Sequence, residues 1–168
     1  RNLITGHETK VLTQGTSLNF MQRLSPDGSI LAYRDKVSGR WSTFVLPADS
    51  TMGREVCDSC LILDFFQDAD FALVQNKPAE LKKMHLRNKE KSPVLTVEKG
   101  SISDASLSPN GEWVAYLIGE PDGRAAIWVA FISEIKASKN KKILIIEDDR
   151  YLSPPEWSPN GRYLYFLS

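Results

Sequence analysis

Two histidines, His7 and His85, and two cysteines, Cys57 and Cys60, are the whole supply of imidazole and thiol in this sequence of 168 residues. A structural zinc site wants four such ligands, and a catalytic one wants three plus a water. His7 flanks a turn and His85 alternates with charged residues, so both read as exposed and no metal site is assigned. An excess of charge of either sign is also missing, because 21 lysines and arginines balance 21 aspartates and glutamates. Nucleic acid and acidic membrane surfaces are therefore excluded as partners of this segment on electrostatic grounds. No apolar run approaches the roughly 20 residues of a membrane-spanning helix, so no membrane span is read. The nucleophile elbow Gly-x-Ser-x-Gly is absent; Gly100-Ser101-Ile102-Ser103-Asp104 comes nearest and lacks the second glycine. Glycine loops that cradle phosphates are absent as well. No catalytic residue, cofactor-binding residue, metal or cofactor is assigned on these grounds. The chain opens Arg1-Asn2-Leu3 with no initiator methionine, charged n-region or apolar h-region. It reads as a processed chain or an excised piece, and this end leaves the compartment open.

What the sequence does have is a repeated turn. Ser108-Pro109-Asn110-Gly111 separates two apolar, β-branched and aromatic runs of strand length. Pro109 presets φ, Asn110 tolerates the bridge or left-handed region, and Gly111 supplies positive φ without a Cβ penalty. Ser25-Pro26-Asp27-Gly28 and Ser158-Pro159-Asn160-Gly161 repeat the pattern, each followed by an apolar strand. Pro26, Asp27, Gly28, Pro109, Asn110, Gly111, Pro159, Asn160 and Gly161 are accordingly read as structural turn residues. Strands are expected at 9–13, 17–24, 30–34, 41–46 and 54–57, then at 61–66, 71–75, 81–86 and 93–97. A third set falls at 102–107, 112–118, 126–131 and 142–147, and a last unit begins at 156–157 and runs through 162–167. Residues 78–88 are rich in helix formers, but the repeat sets a strand there and overrides propensity. The turn glycines 28, 111 and 161 stand 83 and 50 residues apart, and a degenerate turn, Gln67-Asp68-Ala69-Asp70, divides the first interval. Four-stranded units at a period of about 40–50 residues are the mark of a β-propeller.

The motifs Leu-Ser-Pro-Asp-Gly-x-x-Leu-Ala-Tyr, Leu-Ser-Pro-Asn-Gly-x-Trp-Val-Ala-Tyr and Trp-Ser-Pro-Asn-Gly-x-Tyr-Leu-Tyr-Phe resemble the WD-like repeats of bacterial TolB-type β-propellers. The resemblance implies an all-β fold, a propeller segment of four-stranded antiparallel blades with about three whole blades and partial terminal ones. Its register sets blades at 14–58, 59–99 and 100–150, a partial blade at 151–168, and the last strand of a preceding blade within 1–13. The second unit departs from the pattern, since it lacks Ser-Pro-Asp-Gly. The family implies a non-catalytic scaffold for protein or ligand interaction, in a fragment of a larger protein. The substrate-gating propeller of a prolyl-oligopeptidase-like serine peptidase and a periplasmic ligand- or glycan-binding propeller are the alternatives. The bacterial cytoplasm and the periplasm both remain open.

Cys57-Asp58-Ser59-Cys60 lies in a strand-to-strand link and reads as a thiol pair or a local disulfide, because a redox motif would open a helix. Asp68, Asp70 and Glu147-Asp148-Asp149 lack calcium-loop spacing and read as solvated turn residues. The lysines of 82–91 and 136–142 read as solvated hairpin and loop charges. Trp41, Trp113, Trp128, Trp157, Tyr116 and Phe131 read as blade core, and the runs 113–118 and 143–146 as strands buried on both faces. Loops 35–40, 120–124 and 133–141 are the candidates for displaying contacts to an unidentified protein partner. Open blade edges invite a second copy of the chain.

Overall fold

Side chains alternate between the two faces of a strand, and in this chain that alternation assigns successive residues to different neighbouring sheets. A computed structural model describes residues 22–132, 142–149 and 151–168. The strand expected at 9–13, most of that at 17–24 and the link 133–141 lie outside the described residues. Among the described residues the first sheet runs β1 (Arg23–Leu24), β2 (Ile30–Val37), β3 (Arg40–Pro47) and β4 (Arg54–Asp58). The second is β5 (Leu61–Phe65), β6 (Phe71–Lys77), β7 (Glu80–His85) and β8 (Lys91–Thr96). The third is β9 (Ser101–Leu107), β10 (Trp113–Gly119), β11 (Ala125–Phe131) and β12 (Lys142–Asp148). A two-stranded sheet, β13 (Glu156–Trp157) with β14 (Leu164–Tyr165), follows. Each four-stranded sheet is an antiparallel meander in sequence order, the form of a propeller blade. The first strands lie side by side, β1 against β5, β5 against β9 and β9 against β13.

Blade 2, the second sheet, shows how the sequence builds two seams at once. On β5, Ile62 and Phe65 turn to blade 1 while Leu63 and Phe66, just past its end, turn to blade 3. On β6, Ala72 and Val74 face blade 1 and Leu73 faces blade 3; on β7, Met84 and Leu81 divide in the same way. The first seam closes on Ala32, Val45 and Val56, the second on Ile102, Val114, Tyr116 and Ile118. Leu117 and Ile127 face away from blade 2 and pack with Leu152 and Leu164. Residues 78–88 hold β7, so the partners on either side override local helix propensity. The β2–β3 hairpin turns on Ser38 and Gly39, with φ of 51° and 83°; two left-handed residues match the twist of the flanking strands.

Three expectations give way. The run 143–146 is not buried: Ile143, Leu144 and Ile145 are 40, 43 and 44% exposed. β12 is the outermost strand of blade 3, and the short pair β13–β14 packs on Leu117, Ile127 and Ile146, leaving the outer positions open. The last strand is confined to Leu164–Tyr165 instead of filling 162–167, since β13, its partner, has only two residues. Of the aromatics read as core, Tyr116 is fully buried, the four tryptophans are half-buried, and Phe131 lies exposed at a blade edge.

Candidate functional site

The first strands carry a row of polar side chains on the side where the blades converge. The turn bonds Gly28 N to Ser25 O, Ala69 N to Phe66 O, Gly111 N to Ser108 O and Gly161 N to Ser158 O fix equivalent positions in the four units. Two residues before each acceptor stand Arg23, Asp64, Ser106 and Glu156. Arg23 donates through Nε to Leu63 O at 2.8 Å and through Nη2 to both oxygens of Asp104 at 3.0 and 3.1 Å. Asp64 accepts the amides of Phe65 and Leu107, both at 2.7 Å. Burial outweighs these two bonds and lifts its carboxyl to about 6, with Glu156 adding to the rise and Arg23 opposing it. Ser106 donates to Pro155 O at 2.7 Å, and the Trp157 indole donates to Ser106 O at 3.2 Å. This row ties each blade to the next. The sequence reading missed it; the one signal available was a charged residue in each first strand, Arg23, Asp64, Asp104 and Glu156.

At the turn end the serine of each motif is buried and acts as a relay. Ser108 Oγ accepts from Trp113 N at 2.9 Å and donates to Asn110 Oδ1 at 2.6 Å. Ser158 does the same with Tyr163 N and Asn160. Ser25 does so with Ile30 N and Asp27. Gly28, Gly111 and Gly161 have φ of 73°, 71° and 67°. Bonds from Ser25 and Ser29 hold the Asp27 carboxyl down at about 2. In blade 2 Ala69 takes the glycine's place at φ 54°. Cys57 and Cys60 are joined in a disulfide at the end of β4, with Cys60 fully buried.

Of the acidic clusters, Glu147 pairs with Arg124, which also holds Glu120 at 3.2 Å and Asp122 at 2.9 Å. These bonds brace the 120–124 hairpin. Among the described residues no group of three or more His, Cys, Asp or Glu side chains is placed to hold a metal, and no helix is long and apolar enough to cross a membrane. The hairpins at 38–39 and 120–124 lie at the end of the blades opposite the repeated turns. β11 runs back to the turn end, where Ile132 N donates to Glu112 O at 2.7 Å. The three candidate display loops therefore do not leave from one rim, and 133–141 itself lies outside the described residues.

A groove of about 810 Å³ lies at the turn end between blades 2 and 3. Phe66, Phe71, Lys83 and Phe131 line it, with Asp68 and Glu112 among its other residues. Lys83 Nζ sits 4.6 and 4.2 Å from the ring centroids of Phe66 and Phe71, a cation–π arrangement.

No protein-family model matches the sequence, and no curated protein matches it. Solved structures do match the shape. The TolB of Acinetobacter baumannii superposes with a TM-score of 0.67 at 12% identity, over 85% of this chain and 36% of that one. An oligogalacturonate lyase in complex with manganese gives 0.61 at 10% identity, over 87% of this chain and 51% of that one. The tricorn protease gives 0.59 at 16%, over 88% of this chain and 15% of that one. The chain thus spans about a third to a half of the first two and a small part of the third. Meander blades joined through their first strands, together with these likenesses, define the fold as a β-propeller. More particularly, its blades are similar in shape to those of TolB proteins.

Proposed function

We propose that the chain is a non-catalytic recognition module, a scaffold that holds protein or ligand contacts at its interblade openings. The observation behind this reading is how the polar groups are used. Both oxygens of Asp64 accept backbone amides, and Asp104 is committed to Arg23. The convergent row thus holds blades together, and the Phe66–Lys83–Phe131 groove is open to solvent. Contacts of this kind suit an apolar side chain of a partner inserted between two blades.

A photoreactive amino acid placed at Phe131 tests this in the source cell. One discrete cross-linked product, lost when Lys83→Glu is added and absent from a probe at Met52, is the expected result. Equal labelling from both positions, or turnover of peptide or oligosaccharide substrates by the purified chain, overturns the reading. Gating of a serine peptidase or binding of a glycan draws on the tricorn and lyase likenesses, which at 16 and 10% identity carry fold alone. Self-association has its own support in two uncovered apolar surfaces, Ile143 to Ile145 on β12 and Tyr163, Tyr165 and Leu167 along β14.

A further inference from the structure

Arg34 lies in the middle of β2, in the row Ala32, Arg34, Lys36 that faces blade 2. A guanidinium carries five N–H donors and cannot discard its charge. None of the five meets an acceptor among the described residues, and Nε is also shut off from solvent with no hydrogen bond. Buried polar groups are almost always satisfied, so an orphan of this kind calls for a missing acceptor. The nearby carboxylates are turned elsewhere. Strand pairing places Asp35 opposite Ser42 and Ser42 opposite Asp58, on the other face of the sheet. Asp35 takes the amide of Lys36, Asp58 takes the hydroxyl of Ser59, and Glu80 holds Lys77 and Lys82, each at 3.3 Å.

Among the described residues Arg34 and Lys36 thus stand together without a carboxylate of their own. Arg34 Cζ and Lys36 Nζ stand 5.2 and 5.3 Å from the centroid of the same Trp41 ring. A cleft of about 350 Å³ opens beside Arg34, and its lining contains no carboxylate. Asn76 adds to it, since its Oδ1 is taken by Lys91 at 2.9 Å, leaving the amide nitrogen to donate. Ser59 and Ser101 line the same cleft.

We propose that this cleft binds a carboxylate, presented by an aspartate or glutamate side chain of a partner protein, with the two terminal nitrogens of Arg34 as the bidentate anchor and Lys36 as the second cation. The planar fork of arginine matches two oxygens of a carboxylate or of a phosphate. Built phosphate sites commonly add helix N-termini or nests of backbone N–H groups to such a fork; strands frame this cleft, which favours the carboxylate. The choice of a protein as the source rests on the recognition reading above; the carboxylate site does not.

The test uses the whole chain labelled with ¹⁵N and titrated with the capped peptide acetyl-Gly-Glu-Gly-amide, its Gln counterpart and inorganic phosphate. The Glu peptide is expected to shift the Arg34 Nε–H and Trp41 indole resonances, binding at least tenfold more tightly than the Gln peptide. Arg34→Gln is expected to abolish the shift, and Lys36→Gln, at an exposed position, to weaken binding about threefold in a folded protein. No shift, equal shifts from both peptides, tighter binding of phosphate, or unaltered binding by folded Arg34→Gln each overturn the proposal. A positive titration alongside a failed cross-linking experiment would retain the carboxylate site and reject the protein partner.

Discussion

Removing the hydroxyl of Ser108 strands the amide of Trp113 next to a buried position and releases Asn110 from its turn geometry. Ser108→Ala should therefore cost about 1–3 kcal/mol, the range for a buried donor left unsatisfied; urea unfolding measures it, and a loss below 0.5 kcal/mol, on the order of a neutral surface change, would deny the relay. Two carboxyls give opposite pH signatures. Asp27 titrates below its unfolded value, so its stabilisation is complete above about pH 4 and is lost as pH falls toward 2. Asp27→Asn, which copies Asn110 and Asn160, should remove that acid sensitivity and keep the turn. Asp64 is raised to about 6, so the folded chain holds a proton that the unfolded chain has released. Its contribution falls as pH rises from about 4 to 6, and the cost stays in full above that. Carboxyl ¹³C shifts should show a midpoint near 6 that moves higher in Arg23→Gln; titration near 4 would contradict the desolvation argument. Proline, asparagine and glycine could be read from the sequence because their demands are local. Arg23 could not be matched to Asp104, 81 residues away, because only the assembled blades bring them together. Arg34 stood inside the strand expected at 30–34, where the sequence reading assigned it no role.

β7 and β12 mark the reach of pattern reading for elements. The repeat placed a strand where composition favoured a helix, and the structure has Glu80–His85 there between β6 and β8. For β12 the apolar run gave the right element and the wrong exposure, because composition reports what a strand can bury and not whether a neighbour covers it. The Cys57–Cys60 bridge closes a very short loop at the end of β4. Chain-entropy arguments give about 2 kcal/mol for such a loop. The Cys57→Ala, Cys60→Ala chain should lose about that much in urea and keep its β-sheet circular dichroism. A loss above about 4 kcal/mol, beyond the upper part of the usual range, would show that Cys60 matters through packing instead.

Across the molecule, burial is uneven in a way that orders stability. Among the described residues blade 2 has a packed seam on each face, blade 3 has one full seam and one short one, and β13–β14 pack against one neighbour. Local opening follows such differences. Amide exchange should therefore be slowest in β6 and fastest in β14, and equal protection throughout would contradict the nearest-neighbour picture. Leu73→Ala, at a position with no exposed surface, should cost about 2–5 kcal/mol. The all-β class and the meander sheets were legible because the turn recurs; the seams were not, since which face meets which blade emerges only in three dimensions.

Most of the side-chain bonds that cross the seams share one property, the Arg23–Asp104 pair and the bond from Leu107 N to Asp64 excepted. Arg23 reaches Leu63 O, Arg54 reaches Leu86 O, Gln75 reaches Ile102 O, Ser106 reaches Pro155 O and Lys142 reaches Thr96 O. A main-chain carbonyl is present whatever residue stands there. A blade can thus drift, be duplicated or be transplanted while its neighbour keeps its grip, with no paired substitution required. Modular evolution of that kind lets a shared shape outlast nearly all recognisable likeness of sequence.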